Sequence, residues 1–377
     1  MRERLKSAQR IVVKAGTSIL TSRQGRFSVS HLNRLSTEIL ELIRRKKEVL
    51  LVSSGAIAYG MEANRLQKRP KELAQLQALA AIGQGKLMHA YESFFSRRDI
   101  LTAQVLLTRD ALESRDRFLK ARQTLETLMD MKDAHSMMRV LPVVNENDTV
   151  ATEEIHFGDN DILAVHVAHL IHADLLVILS DVDGFYLTDG SRLRQVSSEE
   201  EIDQELVKHL KDSRRQTTVG GMKAKLAAAR TAMRLGIPLL MVNGHVRGML
   251  AKAIAGEDIG TLFATCRAEK NARKKWIAFS AARRGTLTVD PGAYKALTEG
   301  HRSLLPRGMV KVRGRFEKGH VVELETMDGK VFGRGVVRYS SLELIQLTGK
   351  KTDEIQGLLG YKSCDEVIHR NDMVIWD

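Results

Sequence analysis

The chain has 377 residues, 43% apolar and 28% charged, with a formal net charge of +13. That length exceeds a single small core and sets two domains as the expectation. No apolar run approaches the roughly 18–20 residues of a membrane span, and the charged opening MRERLKSAQR lacks the apolar stretch of a secretion signal. Cys266 and Cys364 are the only cysteines and form no CxxC, which excludes a disulfide framework and a cysteine zinc site and fits a reducing cytoplasm. The positive excess favours anionic partners, either nucleotides or nucleic acid.

In chain order, RIVVKAGTS reads as a strand ending in a glycine turn, and HLNRLSTEILELIRRKK has helical periodicity. EVLLVSSGA is a buried strand followed by a turn and a long helical region. ILTAQVLLT, MRVLPVVNEND and ADLLVILSDVDG repeat the theme of an apolar run closed by small and polar residues. Apolar strands alternating with helices imply a mainly parallel sheet covered on both faces. Ligands bind such sheets beyond the carboxyl ends of the strands. The clusters Lys14–Ser18, Ser53–Gly55, Asn145–Asp148 and Ser180–Gly184 all sit at those ends and should converge. RAEKNARKKW, Arg267 to Trp276, reads as a linker between residues 1–267 and a second domain over 277–377. There GTLTVD, MVKVRGRF, HVVELETMDGK and GVVRY form short alternating segments, and MDGK signals a hairpin.

Lys14, just before Gly16, Thr17 and Ser18, can supply a point charge to a phosphate cradled by a glycine turn. Ser53, Ser54 and Gly55 suit a helix start that offers amides to an anion, and equally suit an ordinary helix cap. Ser180, Asp181, Asp183 and Gly184 suit a magnesium or nucleotide contact, or a plain Asp-Gly turn. VGGMKAKLAAA, Val219 to Ala229, places a glycine pair and two lysines at what reads as a helix start, a fit for a polyphosphate. Asn145, Glu146, Asn147 and Asp148 face Asp159, Asn160 and Asp161 across one short loop. Asx residues suit turns, but two such clusters can also hold an ammonium group. IGQGKLM is no P-loop, because Ala80 and Leu87 stand where glycine and Ser/Thr are needed. His166, His169 and His172 recur on one helix without a convergent carboxylate or thiol and give no metal site. Together the cradles suit ATP, and the Asx pocket suits an amino acid that receives a phosphoryl group. Such a transfer depends on positioning and charge neutralisation.

VVKAGTS, SSGAIAYG, LPVVNENDTV, FGDND, LSDVDGFY and VGGMKAK, in this order, resemble the glutamate 5-kinase group of the amino acid kinase family. The tail, with LPRGMVKVRGRFEKGHVVEL and GRGVVRYSS, is similar to a PUA domain. The resemblance implies a three-layer α/β sandwich on a mainly parallel central sheet, followed by a small β-rich PUA domain. It implies transfer of the ATP γ-phosphoryl to the side-chain carboxylate of L-glutamate, with magnesium carried by ATP. Lys14 then matches an ATP-phosphate lysine, and Ser54, Asp148 and Asn160 match glutamate-binding positions. Ser180 and Asp181 match a nucleotide-binding pair. Val219, Gly220, Gly221, Met222, Lys223, Ala224 and Lys225 match the nucleotide loop, with Lys225 as its phosphate lysine. The family also implies a cytoplasmic homo-oligomer with proline as feedback inhibitor. Ala15 for Leu, Ser180 for Thr and Val219 for Thr depart from the usual pattern, and Val219 removes a hydroxyl near the nucleotide. Two alternatives stand beside this reading: another amino acid kinase, acting on acetylglutamate or carbamate, and an RNA-binding protein acting through the PUA domain.

Overall fold

The computed structural model describes residues 2–22, 24–108, 112, 115–131, 139–150, 159–187, 189–202, 216–264, 274, 277–278 and 283–376, with the backbone alone at 115, 159, 200 and 216–220. Apart from Lys274, the expected linker Arg267 to Trp276 lies outside them. Two compact units result, one of Met1–Arg109 and Lys120–Ala268, the other of Asp110–Leu119 and Glu269–Asp377.

The first unit is built on eight strands: β1 (Arg10–Ala15), β2 (Glu48–Ser53), β3 (Ile100–Leu107), β4 (Arg139–Glu146), β5 (Leu175–Ser180), β6 (Gln195–Val196), β7 (Leu239–Asn243) and β8 (Thr261–Phe263). Their order is β3-β4-β2-β1-β5-β7-β8-β6. Every pairing is parallel except β7 with β8. The central strands carry apolar residues on both faces, as parallel strands sandwiched between helices must; all six residues of β5 are buried. Five helices matter for the site: α1 (Thr17–Leu20), α2 (Val29–Arg44), α3 (Ala56–Ala63), α4 (Leu73–Phe95) and α5 (Asp159–Leu170), with α6 (Gln216–Leu235) beside the last.

Side chains alternate across a strand, and the faces of β1 divide accordingly. Ile11, Val13 and Ala15 join one core with Leu32, Leu35 and Ile39 of α2 and Leu87, Tyr91 and Phe95 of α4. Lys14 therefore leaves on the opposite face, where α5 packs on β1 and against α6. The helix expected at 31–47 spans Val29–Arg44, opened by Ser28, whose side chain accepts from the His31 amide. Lys46 ends the connection in a left-handed conformation, φ 61°.

Helices α3 and α4 approach so closely that glycine is required at their crossing. A Cβ on Gly83 would lie 1.8 Å from the Ala56 carbonyl oxygen, and one on Gly60 would lie 2.0 Å from the Leu79 carbonyl oxygen. IGQGKLM thus sits inside α4 as a packing motif.

Two sequence expectations are corrected here. Gly220 and Gly221 do not open a helix, because α6 begins at Gln216 and runs through them. The strong helix formers of MKAKLAAAR extend back across the pair despite a cost of about 1 kcal/mol per glycine. His172 is not on the helix of His166 and His169, since α5 ends at Leu170 and His172 turns left-handed at φ 51°. The tail is β-rich as expected, and short helices accompany its sheet.

That sheet has five strands, β9 (Arg283–Val289), β10 (Met309–Gly314), β11 (Val321–Glu325), β12 (Val331–Val336) and β13 (Met373–Ile375), in the order β10-β9-β11-β12-β13. The MDGK hairpin joins β11 to β12, with Gly329 at φ 87° and the Gly329 amide donating to the Thr326 carbonyl at 3.0 Å. Helices Pro291–Thr298 and Ser341–Leu347 flank it, the first capped by Asp290 and the second by a Ser340–Glu343 capping box. Leu287, Phe316, Leu324, Phe332, Tyr339 and Leu344 fill its core.

Gly83→Val should destabilise the first unit by at least about 1–3 kcal/mol, the cost of overpacking, because backbone, not a movable side chain, occupies the space. Urea denaturation beside Gly85→Ala checks this. A Cβ at Gly85 meets nothing within 4 Å, so that substitution should be neutral or stabilising.

Candidate active site

The parallel register draws the strand ends together. Ala15 stands opposite Ser53 on one side and Leu179 on the other, and Ser180 stands opposite Asn243. Beyond β2 the Ser54 amide donates to the Ala15 carbonyl at 3.0 Å. Gly55, at φ 105°, turns the chain into α3, a conformation that side chains resist. Ser53 Oγ lies 2.9 Å from the Tyr91 hydroxyl of α4, and burial pushes that phenol well above its ordinary value. Ser54 is thereby fixed from both sides while its own hydroxyl faces Asn160.

The centre of the edge is ionic. Lys14 Nζ lies 2.5 Å from Asp161 Oδ1, and Lys225 Nζ lies 3.6 Å from Asp161 Oδ2. Asp161 is wholly buried and Lys14 is 5% exposed. Lys14 arrives from β1, Asp161 from the first turn of α5, and Lys225 from α6. Helical side chains lean toward the N-terminus, and Lys225 does so: a Cβ on Gly221, one turn back, would lie 3.9 Å from its Nζ. A Cβ on Gly16 would lie 3.4 Å from Lys14 Nζ, so glycine keeps the space beside that ammonium open. Among the described residues, two ammonium groups sharing one carboxylate leave a surplus of one positive charge in a site that water reaches poorly, an arrangement that suits an anion.

The nucleotide candidates line the neighbouring ends. Ser180 is buried and its Oγ donates to Asp181 Oδ1 at 3.2 Å, while its carbonyl accepts from the Gly244 amide at 2.8 Å. Asp181 is exposed. His245 stands nearby, held below the ordinary histidine value by burial and then by Arg34 and His31, against the pull of Asp181. Its charged form is thereby disfavoured. Gly221, Met222, Ala224 and Lys225 are half-buried on α6, whereas Lys223 is exposed. The side chain of Val219 lies outside the described residues, as does that of Asp159.

A row of amides runs away from the ionic centre. Asn160 Nδ2 donates to Ser54 Oγ at 2.9 Å and to Asn145 Oδ1 at 3.2 Å, and Asn145 Nδ2 donates to Gln84 Oε1 at 2.8 Å. Asp148 follows β4 on a half-buried turn, where its charge favours the charged form of Arg69 against the opposing, larger effect of burial. Both Asx clusters thus border one place, as the sequence reading expects. Lys14, Lys225, Ser54 and Asn160 are drawn into contact through Asp161 or directly. Gln84 and Tyr91 were given no role by sequence reasoning, and Asp161 and Asn145 none beyond membership of the two Asx clusters. The signal for Asp161 was a carboxylate on the otherwise apolar helix DILAVHVAHL, and for Gln84 a polar residue between the glycines of IGQG.

With this geometry in hand, likeness to known proteins becomes informative. The model of the amino acid kinase family matches residues 9–243, and that of the PUA domain matches 285–359. The glutamate 5-kinase of Geobacter metallireducens is 44% identical over 374 residues, 98% of each chain. That of Caldanaerobacter subterraneus subsp. tengcongensis is 43% identical over 369 residues, 97% of each. That of Carboxydothermus hydrogenoformans is 42% identical over 381 aligned positions, 100% of each. Matched by the family model over more than half its length, and by these glutamate 5-kinases almost from end to end, the chain belongs to the amino acid kinase family.

Proposed function

We propose that this chain transfers the γ-phosphoryl group of ATP to the side-chain carboxylate of L-glutamate, giving L-glutamyl 5-phosphate, the first step of proline biosynthesis. The observation that carries the reading is the Lys14–Asp161–Lys225 group lying next to the Ser54–Asn160 pair. Cations for phosphates and polar groups for an amino acid meet at one strand edge. The glutamate 5-kinases that match nearly the whole chain support the same substrate over acetylglutamate, carbamate or RNA as the main task.

Phosphoryl transfer between ATP and a carboxylate needs little covalent help. Lys14 and Lys225 stabilise the charge that spreads over the transferring phosphoryl oxygens. Asp161 holds both ammonium groups in place before ATP arrives, so little reorganisation is left for the transition state. Ser180, Asp181 and the α6 segment from Val219 to Lys225 border the nucleotide. Ser54, Asn160 and Asp148 hold glutamate, with Asp148 facing its ammonium. Magnesium enters with ATP as part of the substrate, held mostly by phosphate oxygens and water. No helix among the described residues is long and apolar enough to cross a membrane, in keeping with a cytoplasmic enzyme.

In an assay of ADP release, L-glutamate should turn over fast, and N-acetylglutamate, aspartate and carbamate should not. Preference for N-acetylglutamate would sink the assignment, because acylation removes the ammonium.

Lys14→Ala and Lys225→Ala should each lower kcat by roughly 10²–10³, the usual loss for one preorganised charge-stabilising group, with a smaller change in the KM for glutamate. Steady-state kinetics on folded variants measure this, and near wild-type kcat in either would misplace the phosphates.

Asp161→Asn leaves Lys14 buried without its counter-charge and should cost about 3–5 kcal/mol of stability. Adding Lys14→Met to it should recover part of that loss. A double-mutant cycle by chemical denaturation tests the pairing, and strict additivity of the two substitutions would show the lysine and aspartate to be energetically independent.

A further inference from the structure

The orientation of the side-chain amides in the pocket is fixed by one backbone group. The Glu146 amide can only donate, and it donates to Asn145 at 2.9 Å, so the atom it meets is Oδ1. Asn145 Nδ2 is then the donor that meets Gln84 at 2.8 Å, and the Gln84 atom it meets must be Oε1. By the same logic, the Asn160 atom that approaches Asn145 Oδ1 must be Nδ2. Amide orientation is ordinarily a matter of inference from the network, and here the network begins at a group that cannot flip.

Two buried atoms are left over. Gln84 Nε2, a donor, and Asn160 Oδ1, an acceptor, have no hydrogen-bond partner among the described residues. Buried polar groups are rarely left so, and an orphan invites a ligand. The Ser54 hydroxyl accepts from Asn160 Nδ2 and keeps its own proton for donation. The sheet order β4-β2-β1 sets the direction of the row. From Lys14 on β1 it passes Ser54 after β2, then Asn160, then Asn145 on β4, and ends at Gln84 on α4. Gln84 therefore stands at the end farthest from the phosphoryl-transfer centre.

We propose that Gln84 is a further substrate-binding residue, whose Nε2 donates to the α-carboxylate of the amino acid while Asn160 Oδ1 accepts from its ammonium. This rests on the glutamate-kinase reading above. A substrate whose side-chain carboxylate meets Lys14 presents its α-carbon groups toward the other end of the row. A donor and an acceptor left open there match a zwitterion. The Gln84 side chain is itself held by Asn145, and its helix is held by the Gly60–Gly83 crossing, so the donor is rigidly aimed.

The test is steady-state kinetics of full-length wild type, Gln84→Leu and Gln84→Glu, with L-glutamate and with the α-amide of glutamate. Gln84→Glu keeps the shape and the acceptor for Asn145 but turns the donor into a carboxylate oxygen. Both variants should raise the KM for glutamate roughly 10–100-fold, the worth of a hydrogen bond to a charged group. The KM for ATP and the melting temperature of Gln84→Glu should stay near wild type. The defect of Gln84→Glu should shrink with the α-amide, whose NH2 can donate to the new carboxylate. An unchanged KM for glutamate in the folded Gln84→Glu variant overturns the inference. So does an equal defect with both substrates, or a KM for ATP that rises in step, which marks a merely structural role. Wild-type protein that does not turn over glutamate at all overturns the functional reading, and this inference with it.

Discussion

One buried carboxylate between two ammonium groups organises the kinase region. Asp161 is fully enclosed, and a charge so placed is tolerated only when it is paired. Its partners come from a central strand and from a second helix, so the pairing fixes α5 against β1 and α6 against α5. The geometry is asymmetric. Lys14 is in tight contact at 2.5 Å, whereas Lys225 stands off at 3.6 Å and is more exposed. Lys14 belongs to the fixed framework, and Lys225 stands on the flank. Among the described residues, that group carries one more positive than negative charge.

The opposite face of the sheet gives the pocket its precision. Gly60 and Gly83 let α3 and α4 lie backbone against backbone, and both helices feed the site from their packed positions. Helix α3 starts directly after Ser54, and α4 carries Tyr91, which fixes Ser53, and Gln84, which caps the amide row. Ser53, Tyr91 and Gln84 therefore stand on regular elements pinned by close packing. The two lysines reach in from the face where α5 lies. The two layers thus meet at the strand ends, where Asn160 and Asp161 of α5 lie beside Ser54 and Lys14.

Much of this was legible from sequence. The apolar runs at Arg10–Ala15, Glu48–Ser53 and Leu175–Ser180 read as buried parallel strands, and the rule that ligands bind at their carboxyl ends gathered Lys14, Ser54, Asn145 and Ser180 into one place. What stayed hidden depended on tertiary contact. Asp161 looks like one more Asx residue until α5 is laid on β1, because nothing local says that it faces Lys14 rather than water. The start of α6 was misjudged because a glycine pair signals a break, whereas the helix formers after it override that signal. Gln84 was passed over because its only local mark, a glycine on either side, suggested a failed phosphate loop. The short strands β6 and β8 carry too few residues for any periodicity to show.

The register of the central sheet has a consequence for how the chain is made. Ile11 of β1 pairs with Val49 of β2 on one side and with Leu175 of β5 on the other. The first partner emerges soon after β1, but the second lies well over a hundred residues downstream. At about 5–20 residues per second of synthesis, one edge of β1 waits on the order of ten to thirty seconds for β5. During that wait it is an apolar strand with unpaired amides, the kind of edge that invites association with other chains. Lys14 sits near the end of that open edge, and a charge on an exposed strand discourages such pairing. A lysine at that position thus suits the nascent chain as well as the finished site, before Asp161 has been synthesised to meet it.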